Sequence, residues 1–200
     1  GTPRNPWDAQ THRVPGGSSS GAGVSLCEGS ALLALGSDTA GSVRIPASMT
    51  GNVGLKTSYG RWPINGIFPL SPTLDTAGTL TRDVADAVTA FAAIDPHQRS
   101  YGPRLSREVS QCSASDFCIG TGEAALWSDC DEGIAETVQA ALTELADAGV
   151  RIIETPLPEA TAAIELLKVG SVVSAEIDEL LSSTLVPWRE TLDPVVSSRI

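Results

Sequence analysis

Two short segments rich in glycine and serine constrain this chain more than any other feature. The first, residues 16–21, reads Gly-Gly-Ser-Ser-Ser-Gly, and the second, residues 36–46, reads Gly-Ser-Asp-Thr-Ala-Gly-Ser-Val-Arg-Ile-Pro. Segments of this composition are common in linkers. A linker, however, is not interrupted by apolar runs, and residues 31–35 form such a run between these two segments. The pattern therefore predicts tight turns between regular elements rather than a flexible connection.

The remainder of the chain alternates patterns typical of strands and of helices. Strands are predicted over residues 31–35, where the continuous apolar run indicates burial, and over 53–56, 117–120 and 150–154. Helices are predicted over residues 22–29, 42–49, 82–94, 131–149 and 160–185. Residues 59–79 are rich in glycine and proline and are expected to form an irregular loop. This alternation predicts an α/β fold with a partly parallel sheet.

The charge balance of the chain argues against one class of partner. The sequence has 24 acidic and 13 basic residues and a formal net charge of −11. Contact with nucleic acid phosphates requires clustered lysine or arginine side chains, and the arginines here are scattered. We therefore expect no direct contact with nucleic acid. The sequence contains no run of about 18 apolar residues, so no contact with a membrane is expected either.

The cysteines are spaced unlike those of a zinc site. They are Cys27, Cys112, Cys118 and Cys130, and no two of them form a C-x-x-C pair. Reduced thiols in a cytoplasmic protein are the favoured interpretation. A disulfide between Cys112 and Cys118 is the alternative. We expect neither a metal ion nor a cofactor.

Together the two glycine-rich segments resemble the amidase signature. That pattern joins G-G-S-S-x-G through a helix of small residues to G-x-D-x-(G/A)-G-S-φ-R-x-P, where φ is aliphatic. Ser18 and Ser42 lie 24 positions apart, which is the spacing in the family. The one departure is Cys27, where a smaller residue is usual. The resemblance continues through residues 54–56, 74–78 and 81–87; it is strong over residues 1–95 and loose over 116–160.

The resemblance implies a particular chemistry for the two serines. Ser42 corresponds to the nucleophile that attacks an amide carbonyl, and Ser18 corresponds to the serine that relays its proton. The peptide bond between Gly17 and Ser18 is cis in the family. The backbone N–H groups that correspond to the oxyanion hole belong to Thr39, Ala40, Gly41 and Ser42. If Ser42 opens a helix, the helix dipole adds positive potential at this point.

The general base of the family is a lysine that lies upstream of the glycine-serine loop. Lys56 occupies a different position in the pattern, and Lys168 lies in a predicted helix with no motif around it. We therefore expect the chain to be a fragment that lacks the base and part of the substrate pocket, and to be inactive alone. The implied fold is a layered α/β/α core with a mixed sheet, incomplete in this chain.

The other polar residues near the two segments have structural interpretations. We expect Asp38 to stabilise the turn rather than act as a base, and Arg44 to pair with a buried acid rather than with substrate. A hydrogen-bonding role is favoured for Ser19, structural roles for Asp75 and Arg82, and no Ser–His pair is expected from His12.

The predicted organisation places the signature core in residues 1–95, a connecting segment in 96–115 and a further α/β part of the same domain in 116–200. The favoured function is a stand-alone amidase that acts on a small-molecule amide, either alone or as a homodimer. One alternative is the glutaminase-type component of a tRNA-dependent amidotransferase, with its partner subunits, and another is an inactive fragment with a structural role. An esterase with Ser19 in a G-x-S-x-G elbow and a phosphate-binding loop are weaker alternatives.

Overall fold

The computed structural model describes residues 3–97, 102–122, 127–128, 130–198 and 200. The chain divides into two compact units. The first comprises Gly1–Arg107 together with Val172–Ile200, and the second comprises Glu108–Ser171. The two glycine-rich segments both lie in the first unit.

A three-stranded antiparallel sheet forms the centre of the first unit. Its strands are β1 (Leu33–Asp38), β2 (Val53–Lys56) and β3 (Thr76–Thr81), in the order β1-β3-β2. The register places Gly36 opposite Gly78 and Asp38 opposite Thr76. The prediction of a strand over 53–56 is confirmed. Part of the predicted irregular loop at 59–79 is wrong, because its last four residues belong to β3.

Two short helices pack on one face of this sheet. They are α1 (Ser20–Cys27) and α2 (Arg44–Thr50). Their small core consists of Leu26, Val43, Ala47 and Leu80. A third helix, α3 (Val84–Ile94), follows β3 and begins after Asp83, whose side chain accepts a hydrogen bond from the Asp86 N–H as an N-cap. All three helices overlap predicted ones, with ends displaced by one or more residues.

The close approach of the layers depends on missing side chains. A Cβ atom at Gly78 would lie 2.5 Å from the Leu55 carbonyl oxygen, and one at Gly36 would lie 2.8 Å from Ser19 Oγ. Both distances are shorter than van der Waals contact allows. The sheet can therefore lie against the serine-rich loop only because these two positions carry no side chain.

The predicted burial of strand 31–35 is wrong for one of its faces. Leu33 and Leu35 in β1 are 41% and 69% exposed. Ala34, which points to the opposite face, packs against the core. Successive side chains of a strand alternate between faces, and a continuous apolar run alone does not tell which face is covered.

Side chains from the start of the chain bind the end of α2. Asn5 Nδ2 donates to the Met49 carbonyl at 2.7 Å, and Trp7 Nε1 donates to the Thr50 carbonyl at 2.8 Å. The last carbonyl groups of a helix have no partner within the helix. These two side chains satisfy them and fix the helix that follows the second glycine-rich segment.

The final part of the chain contacts the loop that precedes β3. It contains α7 (Val172–Ser183), a 3₁₀ helix (Val186–Thr191) and α8 (Pro194–Ser197). Glu176 on α7 accepts hydrogen bonds from the hydroxyls of Ser71 and Thr73. Trp188 also packs against Phe68, with the ring centroids 5.3 Å apart. The loop is therefore held at several points, although it contains little regular structure.

The second unit contains a two-stranded parallel sheet. Its strands are β4 (Cys118–Thr121) and β5 (Arg151–Glu154), and its helices are α5 (Ile134–Asp147) and α6 (Pro158–Val169). Helix α4 (Gly102–Gln111) crosses the boundary between the units and lies in the predicted connecting segment, where no helix is expected from the sequence. The helix predicted over 160–185 is interrupted at Gly170, which separates α6 from α7.

These elements confirm the α/β class. Both strand directions occur, but the described strands form one antiparallel and one parallel sheet rather than a single mixed sheet. Cys27, Cys112, Cys118 and Cys130 are free, so the alternative disulfide between Cys112 and Cys118 is not formed. Within the described ranges, no helix is long and apolar enough to cross a membrane.

The packing predicts opposite outcomes for two glycine substitutions in the whole protein. Gly78→Ala places a methyl group against the Leu55 backbone and is expected to lower the free energy of unfolding by about 1–3 kcal/mol. Gly21→Ala is the matched control, because a Cβ atom there meets nothing within 4 Å. It is expected to be neutral or to stabilise by up to about 1 kcal/mol. Urea unfolding of both variants checks the pair, and equal effects would contradict the packing.

Candidate active site

The turn between β1 and α2 is built around the carboxylate of Asp38. This side chain accepts hydrogen bonds from the backbone N–H groups of Gly41 at 2.8 Å, Val43 at 3.1 Å and Arg44 at 3.3 Å. An aspartate that accepts bonds from N–H groups further along the chain stabilises a tight turn. The expectation that Asp38 stabilises this turn is therefore confirmed.

The charge of Asp38 is balanced by Arg44. The Arg44 Nε and Nη2 atoms donate to the two carboxylate oxygens at 3.1 and 3.0 Å, and the Asp38 side chain is 0% exposed. Burial alone raises the pKa of Asp38, but the hydrogen bonds from the Arg44 side chain and from the three N–H groups outweigh it and hold the pKa below its usual value. The predicted pairing of Arg44 with a buried acid is confirmed.

Ser42 lies in this turn, half-buried, two residues before the first residue of α2. It does not open the helix, so the expected contribution of a helix dipole at Ser42 is wrong. The preceding Gly41 has φ of +124°, and a Cβ atom there would lie 2.6 Å from Ile45 Cδ1. Glycine is therefore required directly before Ser42 both for its backbone conformation and for space.

The first glycine-rich segment lies against this turn. The Ser19 N–H donates to the Ser42 carbonyl at 3.2 Å, and a Cβ atom at Gly16 would lie 2.8 Å from Pro46 Cα. The Gly17–Ser18 peptide bond is cis, as the resemblance implies. Ser18 itself is exposed. The structure thus brings together the two segments that carry Ser18 and Ser42.

The predicted oxyanion donors differ in their hydrogen bonding. The Gly41 N–H already donates to Asp38. Across the described ranges, the N–H groups of Ala40 and Ser42 have no hydrogen-bond acceptor. These two groups are therefore the ones left to bind an incoming oxygen atom, and Thr39 is distinguished by its side chain.

Asp75 contributes to the turn in a way that the sequence does not indicate. The Thr39 hydroxyl donates to Asp75 Oδ1 at 2.5 Å, and the hydroxyl of the next residue, Thr76, donates to the Asp38 carbonyl at 2.6 Å. The start of β3 therefore supports the turn from outside while Asp38 supports it from inside. The pairing of Asp38 with Thr76 is the structural reason, and it depends on a strand that the sequence pattern does not predict.

The remaining candidates have other contacts. His12 is exposed. Arg82 pairs with Asp86 at 3.7 Å, in agreement with a structural role. Residues 11–19 contain no strand, so the esterase elbow around Ser19 lacks the strand that it requires.

The two lysines bind elsewhere. Lys56 Nζ donates to the Thr57 carbonyl at 2.7 Å, and Lys168 Nζ pairs with Glu165 at 2.6 Å. Neither contact involves Ser18 or Ser42. The described residues also contain no group of three or more His, Cys, Asp or Glu side chains that could hold a metal ion.

A cavity of about 500 Å³ lies on the other face of the sheet. Leu35 and Ser37 line it, together with Trp62, Ile67, Ile94 and Pro96. Because side chains alternate along β1, these residues point away from the face on which Gly36 approaches Ser19. The cavity is therefore not part of the serine turn.

Fold and site together define an α/β protein in which a serine-rich loop is hydrogen-bonded to a serine turn between a strand and a helix. The sequence model of the family described as Amidase matches residues 1–193, and the chain belongs to this family.

Individual relatives agree with this assignment. The chain is 50% identical over 200 residues to 2-amino-5-chloromuconic acid deaminase of Comamonas testosteroni, covering 100% of this chain and 42% of that protein. It is 37% identical over 169 residues to the amidase-family component of the glutamyl-tRNA(Gln) amidotransferase of Desulforudis audaxviator, covering 82% and 34% of the two chains.

A solved structure has the same fold. It is an inhibitor-bound vestigial protein complex described as revealing the evolutionary origins of an s-triazine catabolic enzyme. The TM-score is 0.82 at 28% identity, and the match covers 100% of this chain and 43% of that one. The chain thus spans less than half the length of each of these three proteins.

Replacing Asp38 tests the electrostatic role of the turn. We expect Asp38→Asn to lower the free energy of unfolding of the whole protein by about 2–3 kcal/mol, toward the low end for a buried pair because Arg44 is half exposed and screened by solvent. Asp8→Asn is the control, because Asp8 also accepts bonds from two N–H groups and an arginine but at the surface. A much smaller loss is expected there.

The same comparison has a defined pH dependence. Since the folded-state pKa of Asp38 is lowered, its contribution is fully present above the unfolded pKa of about 3.9 and is lost as the pH falls through the folded pKa. The stability difference between the wild-type protein and Asp38→Asn should therefore shrink below about pH 4. Urea unfolding between about pH 2.5 and 7 measures it, and a difference that grows toward acid would contradict the assignment.

Proposed function

We propose that this chain carries the nucleophile and the proton relay of an amidase. The observation that supports this most strongly is the hydrogen bond from the Ser19 N–H to the Ser42 carbonyl, which joins the loop of Ser18 to the turn of Ser42. Amide hydrolysis needs a nucleophile, a proton acceptor and donors for the developing oxyanion. The two joined segments supply the first and the third, with Ser18 in position to carry the proton onward.

In the proposed reaction, Ser42 Oγ attacks the carbonyl carbon of the amide. Its proton passes to Ser18 Oγ, and Ser18 passes its own proton to a neutral base. The N–H groups of Ala40 and Ser42 stabilise the oxyanion, together with Thr39 and Gly41 to the extent that their N–H groups turn toward it. The C–N bond then breaks as the relay returns a proton to the leaving nitrogen. Water hydrolyses the acyl-enzyme by the same route and releases the acid.

The base is a lysine supplied by a segment of the whole protein outside these 200 residues. Burial and nearby donors lower the pKa of a lysine enough for it to accept a proton. Lys56 and Lys168 are held by other partners, as described above. The exposure of Ser18 fits a position that another segment covers. The isolated chain should accordingly show no turnover.

A second candidate function follows from one relative. The 50% identity to 2-amino-5-chloromuconic acid deaminase extends over the whole chain, whereas the match to the amidotransferase component is 37% identical over 169 residues. We therefore include among the candidate substrates an unsaturated amino dicarboxylic acid that loses its amino group as ammonia. The relayed proton would serve the leaving nitrogen in either reaction.

The finer points of cellular context belong to the same proposal. We infer a cytoplasmic enzyme, in agreement with the free cysteines, that works without a cofactor on a small molecule. Its partners are a second copy of itself or, in the alternative, the other subunits of an amidotransferase. Size-exclusion chromatography and co-purification from the source cells distinguish these assemblies.

Serine substitutions in the whole protein test the proposed roles. Ser42→Ala should lower kcat by about 10⁴–10⁶-fold, because it removes the nucleophile. Ser18→Ala should lower kcat by about 10²–10⁴-fold, because it interrupts proton transfer. Ser19→Ala is the matched control from the same loop and should change kcat less than about tenfold. A profile in which only the Ser19 change abolishes activity would show that the nucleophile is misassigned.

A substrate panel separates the candidate functions. Ammonia release is measured with simple carboxamides, with glutamine in the presence and absence of aminoacylated tRNA, and with 2-aminomuconic acid. Because the deaminase is the relative with 50% identity, we expect turnover of 2-aminomuconic acid or simple amides without tRNA. Turnover of glutamine that depends on charged tRNA and added partner subunits would instead support the amidotransferase.

A further inference from the structure

The turn that carries Ser42 has a second carboxylate behind it, which the proposed mechanism does not use. Asp75 is 4% exposed and lies directly before β3. Its Oδ1 atom accepts the hydroxyl of Thr39 at 2.5 Å. Thr39 is the first residue of the turn after β1, and its peptide group with Ala40 carries one of the two N–H groups that have no acceptor among the described residues.

We propose that Asp75 is a positioning residue that aims the Ala40 N–H through the side chain of Thr39; this inference rests on the proposed function. The Thr39 side chain and the Thr39–Ala40 peptide group share one Cα atom. A hydrogen bond that fixes the side chain therefore restricts the rotation of that peptide group. An N–H that is already aimed stabilises an oxyanion more than one that must turn during the reaction.

The rest of the turn is anchored in other ways. On the β1 side, the Asp38 carbonyl accepts the Thr76 hydroxyl at 2.6 Å. On the α2 side, the Gly41 and Val43 N–H groups donate to the Asp38 carboxylate. The Thr39–Ala40 peptide lies between these two anchors. The Thr39 hydroxyl is the contact that reaches it from outside the turn.

The carboxylate of Asp75 is itself held in place. Its Oδ2 atom accepts the N–H groups of Leu70 and Ser71 at 2.9 and 3.0 Å, and its own N–H donates to the Ser71 carbonyl at 2.8 Å. Glu176 in turn accepts the Ser71 hydroxyl. A carboxylate fixed by two backbone donors is a rigid acceptor, so it can transmit the position of this loop to Thr39.

Substitutions at Thr39 test the proposal in the whole protein. Thr39→Val has nearly the same shape but no hydroxyl, and should lower kcat about 10–100-fold with KM changed less than about twofold, since small misplacements in an active site cost up to about 10²-fold. Thr39→Ser keeps the hydroxyl and should retain kcat within about threefold. Asp75→Asn should add little to the loss in the Thr39→Val background, because both changes remove one interaction.

The matched control is Thr81→Val on the same strand. Thr81 is 1% exposed, and its hydroxyl donates to the Asp83 carbonyl at 2.9 Å. This change also removes a buried hydroxyl and its hydrogen bond, but it should leave kcat within about twofold. Equal kcat for Thr39→Val and the wild-type protein, or equal losses for Thr39→Val and Thr39→Ser, would overturn the proposal.

A second measurement keeps this proposal separate from the proposed function. If Ser42→Ala leaves ammonia release unchanged, the hydrolase mechanism fails, and amide hydrogen exchange at Ala40 and Gly41 then decides the positioning role. Exchange at least about tenfold faster in Thr39→Val than in Thr81→Val supports it. Equal exchange in the two variants overturns it.

Discussion

The buried carboxylate of Asp38 is the interaction on which the rest of the site depends. Removing a charged carboxylate from water costs several kcal/mol unless donors replace the water. Here five hydrogen bonds replace it, three from the backbone of the turn and two from Arg44. Because those donors lie on both sides of Ser42, one side chain fixes the end of β1, the turn and the start of α2 together. The serine-rich loop can then dock against a surface that is already formed.

The local pattern of the sequence predicts the elements that are short-range in origin. Strand β2 and helix α5 follow directly from apolar runs and periodicity, and the fold class follows from their alternation. Strand β3 escapes prediction, because its Thr-Ala-Gly-Thr-Leu-Thr sequence lies in the middle of a sheet and shows no apolar alternation. The exposure of Leu35 cannot be predicted either, since it depends on which segments cover β1.

The site shows the same division between local and long-range information. The roles of Asp38 and Arg44 are predictable because their partners lie within six residues of Asp38. The cis bond before Ser18 is expected from the family resemblance alone. For Asp75 the sequence indicates only a structural role, because its contact with Thr39 joins residues 36 positions apart through a strand pairing. Likewise, only the three-dimensional arrangement reveals that the Gly41 N–H is engaged by Asp38.

The most direct test of the account is a crystal structure of the whole protein after reaction with a phosphonate inhibitor. The account predicts a phosphonyl group bonded to Ser42 Oγ, with its oxygen about 2.7–3.1 Å from the N–H groups of Ala40 and Ser42. It also predicts Ser18 Oγ within hydrogen-bonding distance of Ser42 Oγ and of a lysine. A phosphonyl group on another residue, or one whose oxygen points away from both N–H groups, would contradict it.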